Sequence, residues 1–183
     1  GHSEKTFLDK LRESHSSWFS DLRVEVYGGT GNAHPRRIQM RLEKYIEDGY
    51  VCYMQGDRDG KEKETFQKLI RQGVVNEDNV FEFKYDFETS VPPWLFLRVL
   101  QNMEHLEGVT EEDFEANIDG SESSGKLIEK YYGLDINPLK TEIADELGWV
   151  MSKTGFSWYQ DEDKFMENTE LGRFLDFVIR MGY

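Results

Sequence analysis

The tripeptide Asp57-Arg58-Asp59 has the residue types and spacing best suited to chemistry in this chain. It follows the apolar run 50–54, which is short and rich in β-forming residues and therefore predicts a buried strand. Carboxylates at the carboxyl end of such a strand lie where open α/β sheets bind their ligands. Two hard oxygen ligands at one point suit Mg²⁺ or Mn²⁺. The alternative is a solvated turn, because Asp and Gly are ordinary turn residues.

A second pair of acids, Asp86 and Glu88, follows the next strand predicted along the chain, at 79–84. Parallel strands end at a shared edge, so we expect these two acids to lie near Asp57 and Asp59. Four carboxylates at one edge repel each other unless a cation or protons neutralise them, which predicts a divalent metal ion there. The alternative is that some of these acids cap helices. Glu88 is the best case for that alternative, since a helix is predicted just beyond it.

The elements that must position these acids alternate between strand and helix with short connections. This alternation predicts an α/β fold with a parallel sheet and right-handed crossovers. The second half of the chain, from Pro92-Pro93 onward, predicts helices only. We expect an α/β core over 1–90 and a helical extension over 91–183 that packs on the core. The predicted strands are 22–27, 50–56 and 79–84, and the predicted helices of the first half are 4–14, 35–48 and 61–72.

The glycine-rich segment Gly28-Gly29-Thr30-Gly31-Asn32 lies between a predicted strand and a predicted helix. Glycines in that position can cradle a phosphate group. Neither the Walker pattern nor the dinucleotide fingerprint is complete here, however. A tight turn that brings the helix close to the sheet is the favoured interpretation.

The composition excludes some classes of protein. A net charge of −14 over 183 residues argues against nucleic-acid binding through one broad basic face, although metal ions can supply positive charge locally. No apolar stretch approaches the length of a membrane span, so no membrane partner is expected. The single cysteine, Cys52, excludes an internal disulfide and fits a reducing compartment, which predicts a cytoplasmic protein.

Taken in order, five segments resemble the TOPRIM nuclease domain of the OLD-family (overcoming lysogenization defect) ATP-dependent endonucleases. Gly1-His2-Ser3-Glu4 looks like the tail of that family's opening motif, and Gly28–Asn32 looks like its second-strand turn. Asp57-Arg58-Asp59 matches the TOPRIM Asp-x-Asp, and Asp86-Phe87-Glu88 looks like its Asp-x-Glu element. Lys140 resembles the downstream catalytic lysine. The resemblance covers most of residues 1–145.

The resemblance implies a TOPRIM-like sheet and a metal-dependent endonuclease that acts on DNA or RNA with two Mg²⁺ or Mn²⁺ ions. In such an enzyme Lys140 would offset the charge that develops on the phosphate. The resemblance also implies an ATPase domain or subunit as a partner, assembly into a homo-oligomer, and a role in phage defence. The catalytic residues it implies are Asp57, Asp59, Glu88 and Lys140. The metal ligands it implies are Glu4, Asp57, Asp59, Asp86 and Glu88.

Two departures from the family pattern leave other functions open. The family's first glutamate should precede Gly1, and the strand that carries it is also absent, so we favour a fragment of a longer protein that lacks one metal ligand. Thr30 stands where lysine is usual, which puts a phosphate contact there in doubt. One alternative is a Mg²⁺-dependent phosphatase or phosphotransferase with Asp57 as its nucleophile. Another is a TOPRIM-like module without activity that serves oligomerisation or docking.

Overall fold

The computed structural model describes residues 1–14, 22–27, 34–58, 62–153 and 168–180. Over these ranges the protein is a mixed α/β protein in which helices predominate and two strands pair in parallel. The elements are α1 His2–Ser14, α2 Pro35–Glu47, β1 Met54–Asp57, α3 Glu62–Arg71, a 3-10 helix Glu77–Asn79, β2 Val80–Phe83, α4 Phe87–Ser90, α5 Pro93–Asn102, α6 Glu111–Asn117, α7 Ser124–Tyr132, a 3-10 helix Asn137–Leu139, α8 Lys140–Lys153 and α9 Glu170–Arg180.

The chain divides into two compact units, and the first contains the strands. This sheet unit comprises Gly1 and 25–86. β1 and β2 pair from Met54 opposite Val80 to Asp57 opposite Phe83, with α3 in the crossover that a parallel pair requires. Apolar side chains from α2, β1, α3 and the loop after α3 form one buried core. Its members are Ile38, Leu42, Met54, Phe66, Leu69 and Val75.

Both strands of this pair are shorter than predicted. The predicted strand 50–56 is wrong at its start, because residues 50–53 lie outside β1. The reason is the partner strand: β2 has only four residues and follows directly on a 3-10 helix, so nothing in β2 pairs with the residues before Met54. The prediction of a strand over 22–27 is also wrong, although exposure alternates along residues 22–25. The alternation of apolar and polar residues determines which side chains are buried, but a strand also needs a neighbouring strand to hydrogen-bond with.

The second unit is helical and comprises His2–Val24 and Phe87–Tyr183. α1 packs along α8 so closely that a Cβ atom added at Gly148 would lie 2.7 Å from Cβ of Lys10. Phe87, at the start of α4, lies between two other aromatic rings of the core. Its ring centroid is 5.2 Å from that of Phe7 on α1 and 6.3 Å from that of Phe174 on α9.

This division differs from the predicted one, which placed residues 1–90 in the α/β core. Residues 2–24 cluster with the helical unit, because α1 buries its apolar face against α8. Thr110 caps the start of α6, where its hydroxyl accepts a hydrogen bond from the Asp113 N–H at 3.2 Å. Asn137 is the first residue of the 3-10 turn that precedes α8. Among the described residues no helix combines the length and the apolar character needed to cross a membrane.

Candidate functional site

Two of the predicted metal ligands lie at one edge of the parallel pair. Asp57 is the last residue of β1, and Asp86 follows β2 by three residues. The Arg58 N–H donates a hydrogen bond to the Phe83 carbonyl at 2.7 Å, so the two strands end together. Both aspartates are partly exposed. The parallel register therefore brings the two carboxylate-bearing strand ends to the same edge of the sheet.

Two predicted features of the sheet edge belong to parts of the chain that the structure does not describe. Asp59 and the glycine-rich segment 28–32 lie outside the described residues. Within the described ranges, no group of three or more His, Cys, Asp or Glu side chains converges as a metal site would require. Of the four strand-end acids predicted, those that the structure describes next to the ends of β1 and β2 are Asp57 and Asp86.

Glu88 and Lys140, both predicted to be catalytic, form an ion pair in the helical unit. The Lys140 ammonium donates to Oε2 of Glu88 at 3.0 Å. The Glu88 side chain is 3% exposed and the Lys140 side chain 31% exposed. Glu88 lies on α4, and Lys140 is the first residue of α8. A carboxylate this deeply buried needs a cation or hydrogen bonds to remain ionised, and Lys140 supplies both.

Glu4 lies on the buried face of α1, together with Phe7, Leu8 and Leu11. Only 8% of its surface is exposed, which is unusual for glutamate on a helix. Phe7, one turn further along α1, contacts the Phe87 ring next to Glu88. The buried face of α1 therefore meets the start of α4, the element that carries Glu88.

The pairing of Glu88 with Lys140 is the feature that sequence reasoning missed. Both residues were predicted to be functional, but as a metal ligand and a separate catalytic lysine. They lie 52 positions apart in the chain, and no local pattern links them. Their contact depends on how α4 and α8 pack within the helical unit.

The surroundings of Cys52 and Asp119, which lie outside the predicted site, shift the pKa values of these two side chains. Burial raises the pKa of the Cys52 thiol, because the thiolate would lose hydration. Hydrogen bonds from Ser121 lower the pKa of the exposed Asp119 carboxyl by favouring its charged form. A thiol whose pKa is raised forms less thiolate at neutral pH, which lowers its reactivity as a nucleophile.

Comparisons with protein-family models, with curated proteins and with solved structures find no match to this chain.

Proposed function

We propose that this chain is a metal-dependent endonuclease that hydrolyses phosphodiester bonds of DNA or RNA, with a TOPRIM-like sheet. The observation that carries the proposal is the parallel pair that ends in acids: Asp57 closes β1, and Asp86 follows β2 at the same edge. Ligands bind outside the carboxyl ends of strands in open α/β sheets. An edge that presents carboxylates there suits a cation rather than an anionic phosphate.

The donor set fits Mg²⁺ or Mn²⁺, because both ions prefer carboxylate oxygens and retain several water ligands. Asp57 and Asp86 would hold such an ion together with Asp59. A second ion, with Glu4 and Glu88 among its ligands, is part of the proposal on the strength of the resemblance alone. When bound, divalent ions lower the pKa of an attacking water and neutralise charge on the phosphate.

Lys140 has two roles in this proposal. It neutralises Glu88, as their 3.0 Å contact indicates. During hydrolysis its ammonium would offset the negative charge that develops on the phosphate oxygens. Because the Lys140 side chain is 31% exposed, it retains solvent access while it binds Glu88.

A titration with Mn²⁺ tests the metal site. We expect saturable binding by the wild-type chain in isothermal titration calorimetry, and loss of that binding in Asp57→Ala. The matched control is Asp78→Ala, which removes an exposed aspartate from the same unit and should leave binding unchanged. Equal binding by all three proteins would show that the strand-end acids do not hold the ion.

The same titration distinguishes a second candidate function. The buried pair of Glu88 and Lys140 also suits a docking module without activity, in which the lysine permanently occupies the carboxylate. Such a module would show no saturable Mn²⁺ binding that depends on Asp57.

A phosphatase or phosphotransferase that uses Asp57 as its nucleophile would differ from both of these functions. It would form a covalent aspartyl-phosphate, which can be trapped, whereas hydrolysis by activated water forms none. Detection of that adduct at Asp57 would replace the endonuclease proposal.

A further inference from the structure

Helix α2 carries a concentration of positive charge that the overall composition conceals. Four of its thirteen residues are cationic and exposed, while the chain as a whole has a net charge of −14. The first turn of α2 contains no acidic residue. These exposed cations are Arg36, Arg37, Arg41 and Lys44.

Most of the net negative charge of the chain lies in the helical unit. Residues 25–86 contain ten Lys and Arg against twelve Asp and Glu, a net charge of −2, which leaves −12 for the rest of the chain. The sheet unit is therefore close to neutral only with the four cations of α2 included, and its other residues carry a net charge of −6.

Three of these cations form a stripe along one side of α2. Arg37, Arg41 and Lys44 follow the spacing i, i+4 and i+7, which places them on one helix face. Ile38 and Leu42 are buried in the core of the sheet unit, and the stripe lies away from them. At 1.5 Å rise per residue the stripe spans about 10 Å. That length matches about three successive phosphates of one duplex strand, which rise 3.4 Å each.

Folding alone does not account for this arrangement. Arg36 and Arg37 lie in the first turn of α2, where the helix dipole disfavours positive charge. Among the described residues, no ion pair involves any of the four cations. The acids nearest to the stripe are Glu47, on this helix, and Asp48, just after it, which follow Lys44 by three and four positions. The cations therefore remain available to an external anion.

We propose that the exposed face of α2 binds the phosphodiester backbone of a nucleic acid through Arg37, Arg41 and Lys44, with Arg36 contributing at the end of the stripe. This inference deepens the proposed function and rests on it for the nature of the polymer. Regularly spaced cations on a helix are complementary to a polyanion whose charges repeat at a similar interval. The contacts are to phosphate, so they predict affinity without sequence preference.

Fluorescence anisotropy with labelled duplex DNA, single-stranded DNA and an RNA hairpin tests the proposal, in EDTA so that no cleavage occurs. We expect the wild-type chain to bind with an affinity that falls steeply as salt rises. The triple variant Arg37→Gln, Arg41→Gln and Lys44→Gln should reduce the slope of log K against log salt by about 2–3 on duplex DNA, since each phosphate contact contributes about 0.9. The three probes show which polymer is preferred.

The matched control changes net charge equally but on other helices. Lys126→Gln, Lys130→Gln and Lys153→Gln remove three exposed cations from α7 and α8 of the helical unit. We expect this control to retain the wild-type slope. An equal loss in both triple variants would show that net charge alone sets the affinity, and it would overturn the assignment to α2. Binding to anionic phospholipid vesicles without binding to any of the three nucleic acids would also overturn it.

Nucleic-acid binding through α2 and endonuclease activity can be tested separately. Binding that depends on α2 in a protein that never cleaves would contradict the nuclease activity and leave the surface intact. Cleavage with an affinity that is unchanged in the α2 variant would contradict the surface and leave the nuclease activity intact.

Discussion

The ion pair between Glu88 and Lys140 allows a quantitative prediction. At a separation of 3.0 Å, and with an effective dielectric constant of about 20, the attraction between the charges is about 5 kcal/mol before desolvation is subtracted. Glu88 is almost fully buried, so Lys140→Met leaves a desolvated carboxylate without this cation. Losing one partner of a buried pair costs about 3–5 kcal/mol. Because Lys140 keeps some solvent contact, we expect about 3 kcal/mol, at the lower end of that range.

A double-mutant cycle measures this coupling. Glu88→Gln removes the charge that Lys140 balances, so the double variant should be more stable than the two single effects predict, by about 1–2 kcal/mol. The assay is urea unfolding in EDTA, followed by both fluorescence and circular dichroism, because coincident transitions are needed to justify free energies. The control cycle is Lys10→Met with Asp145→Asn, a more exposed pair at 3.7 Å, which should couple by less than about 0.5 kcal/mol.

Additivity of the Glu88 and Lys140 substitutions within about 0.3–0.5 kcal/mol would refute this reasoning. It would show that the two charges do not stabilise each other in the folded protein, whatever their distance.

Three further predictions concern packing, capping and thiol chemistry. Gly148→Ala should destabilise the protein by about 1–3 kcal/mol, since the new methyl would lie 2.7 Å from Cβ of Lys10, and urea unfolding measures the loss. Thr110→Ala should cost about 1 kcal/mol in the same assay, because the Asp113 N–H loses its acceptor. Cys52 should react with a thiol reagent more slowly than a free cysteine at pH 8. Its raised pKa keeps the thiolate fraction, and with it the rate, below that of a free cysteine until the pH exceeds the raised value. Stability falls as the pH rises toward that value, because the unfolded chain loses this proton more readily than the folded one.

Each of these predictions has its own control. Gly125→Ala adds the same methyl within α7 but meets Ile136 Cγ1 only at 3.3 Å, so it should cost much less than Gly148→Ala. Thr110→Ser keeps the accepting hydroxyl and should preserve stability. For the cysteine, reaction of the urea-unfolded chain gives the unperturbed rate. A folded protein that reacts as fast as the unfolded one would contradict the role assigned to burial.

Much of the helical framework follows directly from the sequence. α5 begins at Pro93, and α2 begins at Pro35, where a proline fixes the backbone and needs no hydrogen-bond partner for its nitrogen. The apolar stripe of α5 is buried, whereas α2 buries Ile38 and Leu42 but leaves Ile46, which the spacing also predicts to face inward, 46% exposed. Local chemistry determines these starts, so a single sequence contains the information.

The sheet could be predicted less completely, because strands depend on distant partners. The segment 22–27 has the alternation of a strand but belongs to neither strand of the pair. β1 extends only over the four residues that pair with β2. Likewise, α1 was predicted as a helix, but nothing in its sequence indicates that it packs on α8 and so belongs to the helical unit.

The candidate site shows the same division between local and distant information. The position of Asp57 and Asp86 at one strand edge follows from the order of strand and helix. The pairing of Glu88 with Lys140 depends on tertiary packing and could not be predicted. The basic stripe on α2 follows from the spacing of its residues, but a net charge of −14 for the whole chain argues against a basic surface and so conceals it.

Cleavage of nucleic acid by the full-length protein tests the central claim most directly. Plasmid DNA and transfer RNA would be incubated with Mn²⁺ or Mg²⁺ and with wild-type, Asp57→Ala or Asp78→Ala protein. We predict cleavage of at least one substrate by the wild type and by Asp78→Ala, and loss of cleavage in Asp57→Ala with its fold intact. Equal cleavage by Asp57→Ala, or no metal-dependent cleavage by any of the three folded proteins, would contradict the proposed endonuclease.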